Sequence, residues 1–265
     1  MNILHNFNEK GYYSPLNAFS GDKAAYYKER LFKLKKKTTN IILGNNAQIN
    51  LPHLLFTFVD EIIRNKKILD SIEIILGPNL LVHGSSFFIK KPNSKTFISW
   101  HQDLRYWGLN KDREVTAWVA LTKASIENGC MSFIPGSHKK GLQKHKDTYE
   151  KNNFLTRGQE VNIKNIEHEQ IYAPLLPGQF SLHHGKILHS SAPNNTDKYR
   201  IGLSINYIAT DMKQLEMDKD YATLVRGEDN FNNFELVPPP ICDLSSESIE
   251  LHQKILHEQN KVFYK

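Results

Sequence analysis

Val115-Thr116-Ala117-Trp118-Val119-Ala120-Leu121 presents two different faces: Val115, Ala117, Val119 and Leu121 on one, Thr116, Trp118 and Ala120 on the other. Successive side chains of a strand point to opposite sides, so the all-aliphatic face is expected to pack in a sandwich or against a helix. The second face is expected to line a cavity. Strand-like runs recur over 80–90, 96–100, 114–123, 130–134, 171–173, 179–183 and 200–209, separated by Gly, Pro and Asn. Many short strands of this kind predict a mainly β protein with flanking helices, built as a double-sheet jelly roll (a double-stranded β-helix, cupin-like) around a ligand cavity.

Before residue 80 the period changes to that of helices. Ser20 is placed to cap a helix carrying Ala24, Tyr27, Leu31 and Leu34 on one stripe. A second helix carries Leu54, Leu55, Phe58, Val59, Ile62 and Ile63. A third carries Ile68, Leu69, Ile72, Ile75 and Leu76 and stops at Gly77-Pro78, where glycine supplies a left-handed cap. These stripes are core, not chemistry. At the other end, Val237-Pro238-Pro239-Pro240 reads as a stiff linker and Ser245 as the cap of a terminal helix through Ile249 and Ile255, used for packing or subunit contact. We expect one domain over 1–265, with a helical N-terminal region over 1–78, a jelly-roll core over 79–210 and a C-terminal extension over 211–265.

Composition excludes more than it selects. The chain has 265 residues, 40% hydrophobic, enough for one well-filled core. Its net charge of +6 is spread along the chain, and the densest basic run, Lys33 to Lys37, belongs to the solvated side of a helix, so no nucleic-acid partner is expected. No run approaches the eighteen or so apolar residues of a membrane span, and the polar stretch Met1 to Lys10 lacks a signal-peptide core. Two cysteines, Cys130 and Cys242, give no disulfide framework. A soluble, cytoplasmic protein is expected, in a reducing compartment.

The chemistry is concentrated in Trp100-His101-Gln102-Asp103 and in His189, eighty-eight residues after His101. Residues i and i+2 of an extended chain point the same way, so His101 and Asp103 can reach one metal ion while Gln102 faces away. With His189 they form a 2-His-1-carboxylate set that fills one face of an iron and leaves the other open for a bidentate co-substrate and O2. The segment from Pro177 to Ser190 reads as turn, strand, turn and second strand, delivering His189 at the end of an apolar run. Arg200 follows at a spacing that puts it on the next strand of the same sheet, where its planar fork suits the distal carboxylate of 2-oxoglutarate.

With these residues in view the chain resembles the phytanoyl-CoA dioxygenase family of Fe(II)/2-oxoglutarate-dependent oxygenases. The matching text is His101-Gln102-Asp103-Leu104-Arg105-Tyr106-Trp107, Val115 to Leu121, Asn128-Gly129-Cys130-Met131-Ser132-Phe133-Ile134-Pro135-Gly136-Ser137-His138-Lys139-Lys140-Gly141, and His189-Ser190-Ser191 with Arg200. The resemblance implies iron ligation by His101, Asp103 and His189, which carry the catalysis, and pairing of Arg200 with the tail of 2-oxoglutarate. Trp118 and Ser191 sit where the family has co-substrate contacts. It also implies a hydroxylase, because related halogenases have a small residue where this chain has Asp103.

Other histidines compete. His183 and His184 fall on opposite faces of a strand, and His184 is the leading alternative to His189; His138 lies in a turn and reads as structural. His145, His168, His252 and His257 sit in polar segments and are expected to be exposed. The polar stretch 139–170 reads equally as a substrate-facing lid or a solvated excursion. Substrate candidates are Arg105, Tyr106 and Trp107 after the ligand pair, then Phe87, Phe88 and Lys91 before it. Their mix of aromatic and cationic groups suggests a small, anionic metabolite; oligomeric state is open. Two alternatives remain: a cupin-like hydrolase or isomerase that dispenses with 2-oxoglutarate, and a non-catalytic metabolite-binding protein.

Overall fold

The computed structural model describes residues 2–37, 48–155, 157–164 and 169–263. Its elements run in the order α1 Ile3–Lys10, β1 Tyr12–Asn17, α2 Gly21–Lys37, β2 Gln48–Asn50, α3 Thr57–Ile63, α4 Lys66–Leu76, β3 Leu80–Lys90, β4 Ile98–His101, β5 Glu114–Ala120 and β6 Met131–Phe133. There follow β7 His145–Asp147, β8 Gln159–Val161, β9 Ile171–Ala173, β10 Gln179–His183, β11 His189–Ser191, β12 Arg200–Ala209, β13 Asp220–Arg226, β14 Phe234–Leu236 and α5 Ser246–Phe263. A major sheet in the order β1-β10-β5-β12-β3-β13-β14, with β2 also on β3, faces a minor sheet in the order β4-β11-β6-β9. This is the predicted jelly roll.

The two faces of β5 resolve as the pattern demanded. Val115, Ala117, Val119 and Leu121 join a core with Leu31, Phe58, Val59, Ile62 and Ile72 of the helices, so the aliphatic face is the helix-covered outside of the major sheet. Trp118 and Ala120 pack instead with Met131, Phe133 and Ile187 between the sheets. The helix α2 starts as expected: Ser20 Oγ accepts from the backbone N–H of Lys23 at 3.2 Å, and Ala24, Tyr27, Leu31 and Leu34 are buried.

Several elements depart from expectation. The second predicted helix is broken: Pro52–Leu54 form a 3-10 turn, and α3 begins only after Phe56, whose backbone is extended. Leu54 and Leu55 are still buried, so the apolar stripe reported burial correctly and continuity wrongly. Gly77 does end α4, with φ +90° but ψ −176°, a glycine conformation other than the left-handed cap. The segment 1–78 is not purely helical, because β1 pairs with β10 and β2 with β3. Nor does the β structure end at 210, since β13 pairs with β3 through Thr223↔Val82. Within 139–170, β7 and β8 form a hairpin. His145 is half-buried and His252 buried, both expected outside; His257 is exposed, and His168 lies outside the described residues.

His53 gives a pH test of the core. It is buried, with Nδ1 2.7 Å from Ser85 Oγ, and burial, reinforced by His252 and Arg64, pushes its imidazole down to about 3. The unfolded chain binds this proton below about 6.5 and the folded chain does not. The associated stability is therefore complete above about pH 6.5 and declines as pH falls from there toward about 3. Urea unfolding at pH 7 and pH 4.5 should show a smaller acid loss for His53→Gln than for wild type.

Candidate active site

The minor sheet brings the two imidazoles together. His189 on β11 is the direct antiparallel partner of His101 at the end of β4, which puts the ring centroids 4.1 Å apart. Gln102 is extended, at φ −128° and ψ 121°, so Asp103, the first residue of a 3-10 turn, returns to the side of His101. The Gln102 side chain points away and is held there: it donates to Gly141 O at 2.9 Å and Lys186 O at 2.6 Å, and accepts from Gln143 N–H at 2.7 Å.

His101 Nε2 lies 3.2 Å and His189 Nε2 3.7 Å from Asp103 Oδ1, and the ligand atoms of the three residues lie within 4.8 Å of one another. Adjacent ligands at 2.0–2.2 Å from one ion stand about 3 Å apart, so a small contraction closes the set on a metal. Each imidazole turns Nδ1 to the carbonyl two residues before it, His101 to Ser99 O at 2.8 Å and His189 to Ile187 O at 3.1 Å. These bonds assign the proton to Nδ1 and leave the Nε2 lone pair for the ion. Burial, and then His101, hold His189 well below the ordinary imidazole range, which keeps it neutral and able to coordinate. Desolvation alone would raise the Asp103 carboxyl, but His189, His101 and His183 outweigh it and hold the group well below the carboxylate range.

Arg200 comes from the other sheet. It opens β12, in the major sheet, whereas His189 belongs to the minor one; the expectation of a single sheet fails because the chain crosses between the layers over 192–199. Buried Asn194 fastens that crossing by donating to Lys91 O at 2.9 Å and Lys198 O at 2.7 Å. The Arg200 guanidinium is 1% exposed and bonds Gly129 O at 2.9 Å and Ser191 Oγ at 2.6 Å through Nη2 alone. Its Nε and Nη1 are buried with no partner among the described residues. Two unpartnered donors on a buried guanidinium fit a charge-assisted hydrogen bond to a carboxylate. Burial draws Arg200 down to about 10, so it stays charged at neutral pH. Lys90, its direct cross-strand partner, is also buried, and burial with Arg200 beside it pushes the amine down to about 5.

Trp118 lies beneath Arg200, the guanidinium carbon 5.1 Å from the ring centroid. Gly202 makes room for that ring: a Cβ there would stand 1.9 Å from Trp118 Cζ2. Gly202→Ala should therefore displace Trp118 and weaken 2-oxoglutarate binding at least tenfold in calorimetry, and unchanged affinity would remove Trp118 from the co-substrate wall.

Two cavities meet at His101 and Asp103. The smaller, about 70 Å³, runs from them past His189 and Trp118 to Ser191 and Arg200. The larger, about 240 Å³, leads the other way, past Tyr106 and Trp107 toward α5. Phe88 lines both, whereas Phe87 one step earlier faces the helix-side core. Strand alternation likewise sends Lys90 inward and Lys91 to the exposed surface. Arg105 is exposed and absent from both cavity walls. Both cationic substrate candidates thus lie off the cavities, while the aromatic ones, Tyr106, Trp107 and Phe88, line them.

His184 is turned away from the metal set, with Nδ1 3.2 Å from Glu114 and its ring stacked on Phe7. His183 is the one that approaches, its Nε2 3.6 Å from Asp103 Oδ2. Thr116 and Trp118 pair across the ladder with His183 and Ser181, so His183 shares the cavity face. His138 is structural, its Nε2 3.0 Å from Asn8 O.

Comparison with known proteins agrees with this geometry. The phytanoyl-CoA dioxygenase family profile matches residues 12–202. A probable alpha-ketoglutarate-dependent hypophosphite dioxygenase of Stutzerimonas stutzeri is 28% identical over 221 residues, covering 77% of this chain and 76% of that protein. The human peroxisomal phytanoyl-CoA dioxygenase is 27% identical over 157 residues, 57% of this chain and 46% of its own. Among solved structures, the apo form of the non-heme monooxygenase ThoJ superposes with a TM-score of 0.85 at 28% identity, covering 98% of this chain and 96% of that one. A profile match across most of the chain, on a fold shared from end to end, places this protein in the phytanoyl-CoA dioxygenase family of iron- and 2-oxoglutarate-dependent oxygenases.

Proposed function

We propose that the chain hydroxylates a small molecule at a C–H bond, with His101, Asp103 and His189 as the iron ligands and Arg200, Trp118 and Ser191 as the 2-oxoglutarate site. The observation that supports this most strongly is the meeting of two cavities at His101 and Asp103, one of them ending on Arg200 with its unpartnered Nε and Nη1. Bound iron and 2-oxoglutarate supply the oxidation: one atom of O2 enters succinate, CO2 leaves, and the other atom enters the product alcohol.

The protein's share is binding and placement. Arg200 fixes the far carboxylate, Ser191 Oγ holds Nη2 in place, and Trp118 closes the cavity floor. His101, Asp103 and His189 would hold the iron, and both cavities open on His101 and Asp103, where reactants would reach it. Asp103 fills a ligand position with a carboxylate held anionic, which disfavours a further anion such as halide there. No side-chain base or nucleophile is required. A hydrolase or isomerase on the same ligands would leave the Arg200 pocket without a use.

We take 1–265 as one catalytic domain, since strands from both ends, β1, β2 and β13, enter the major sheet. Among the described residues no helix is long and apolar enough to cross a membrane. We place the protein in the cytoplasm, where the unpaired Cys130 and Cys242 and Fe(II) stay reduced. A screen of small molecules, hypophosphite included, for stimulated succinate formation after anaerobic Fe(II) reconstitution tests the function. At least one compound should raise succinate tenfold over the unstimulated rate; 2-oxoglutarate consumption that is absent with and without added compounds would contradict it.

A further inference from the structure

The larger cavity has its own hydrogen-bonding pattern, set by residues outside the iron and co-substrate positions. His83 on β3 lines it, and its Nε2 lies 2.8 Å from Asp220 Oδ2. Asp220 is fully buried at the start of β13 and accepts two further bonds, from Tyr221 N–H at 2.8 Å and from Gln259 Nε2 of α5 at 2.9 Å. A carboxylate taking only donors is an acceptor toward His83 as well, so the imidazole carries its proton on Nε2. In the neutral ring the Nδ1 lone pair, bonded to no described residue, is then the group offered to a ligand.

Asn206 repeats the pattern across the ladder from Gly84. Its Nδ2 donates to Thr116 Oγ1 at 3.1 Å, which leaves Oδ1 as the free acceptor, 3.4 Å from where a Gly84 Cβ would stand. Asn50 supplies the complement, since its Oδ1 accepts from Ser86 Oγ at 2.8 Å and its Nδ2 remains a donor. Among the described residues lining this cavity there is no Lys or Arg. A phosphate or carboxylate group would find no guanidinium or ammonium among these residues to pair it.

We propose that the substrate is a neutral, polar molecule bearing several hydroxyl or amide groups, one of which donates to His83 Nδ1, and that Asp220 and Gln259 position His83 for this. The proposal rests on the larger cavity being the substrate end of the oxygenase site. It replaces the anionic metabolite suggested by Arg105 and Lys91, both of which stand outside the cavity. It also assigns a recognition role to the C-terminal segment, which lies beyond the family match at 202 and contributes Asp220, Gln259 and Asn260.

Two measurements on the purified full chain test it. Nitrogen-15 histidine NMR should show His83 protonated at Nε2 and bare at Nδ1, with that pattern lost in Asp220→Asn; a proton on Nδ1 in wild type overturns the relay. Saturation-transfer NMR then compares myo-inositol and N-acetyl-D-glucosamine with myo-inositol 1-phosphate and D-glucuronate. At least one neutral probe should bind ten times more tightly than its anionic counterpart, and His83→Phe should weaken it tenfold or more while circular dichroism confirms the fold. Tighter anionic binding, no neutral binding, or retained affinity in folded His83→Phe overturns the class. Gln259→Ala covers a His83→Phe that fails to fold, with a threefold or greater loss expected and retained affinity counting against the relay. Calorimetry with 2-oxoglutarate on the same wild-type sample separates the cases, because protein that binds 2-oxoglutarate but no neutral probe defeats this inference alone.

Discussion

Asp103→Ala should weaken Fe(II) binding by on the order of 100-fold or more and reduce 2-oxoglutarate-coupled turnover below detection. Loss of supporting groups around a metal typically costs 10- to 100-fold, and Asp103 is in the proposed ligand set itself, 3.2 Å and 3.7 Å from the two Nε2 atoms. It is also the only anion of the proposed set, so its removal leaves two imidazoles facing a dication. His138→Ala is the matched control: that ring bonds Asn8 O on the outside of the fold and should leave iron affinity unchanged. Anaerobic Fe(II) titration of the two variants reads the difference directly. Equal affinity in Asp103→Ala and wild type would move the metal elsewhere.

Arg200→Lys should raise the Kd for 2-oxoglutarate by about 30- to 1,000-fold. Lysine is still a cationic side chain in water, but the planar fork and its N–H donors are gone. Losing one or two charge-assisted hydrogen bonds corresponds to about 2–4 kcal/mol. The new ammonium would also be buried beside Lys90, whose own amine is already pushed down to about 5, so the variant loses some of its charge at neutral pH. Isothermal calorimetry with metal-loaded protein gives the number. A change under threefold would detach Arg200 from the co-substrate.

The features legible in the sequence were those carried by short-range periodicity. The two faces of β5 separate helix-side from cavity-side residues because alternation is a property of the strand alone. The extended backbone at Gln102 likewise makes the His101–Asp103 relation local. What stayed hidden depends on which strand lies beside which. Lys90 meets Arg200, and His183 meets the ligand set, through ladders between strands far apart in the chain. The assignment of Arg200 to the sheet of His189 failed for the same reason, since a crossing over 192–199 and a hairpin turn look alike in composition. The role of α5 was the least visible: its amphipathic stripe predicts burial of Ile255, but Gln259 and Asn260 reach the cavity only because β13 joins β3.

The most direct test of the central claim is mass spectrometry of both products formed under oxygen-18 gas with a turnover-stimulating compound and abundant chloride. One labelled atom is expected in succinate and one in the hydroxylated product, with no chlorine isotope pattern. Unlabelled succinate, turnover without oxygen, or a chlorinated product lacking label would contradict it.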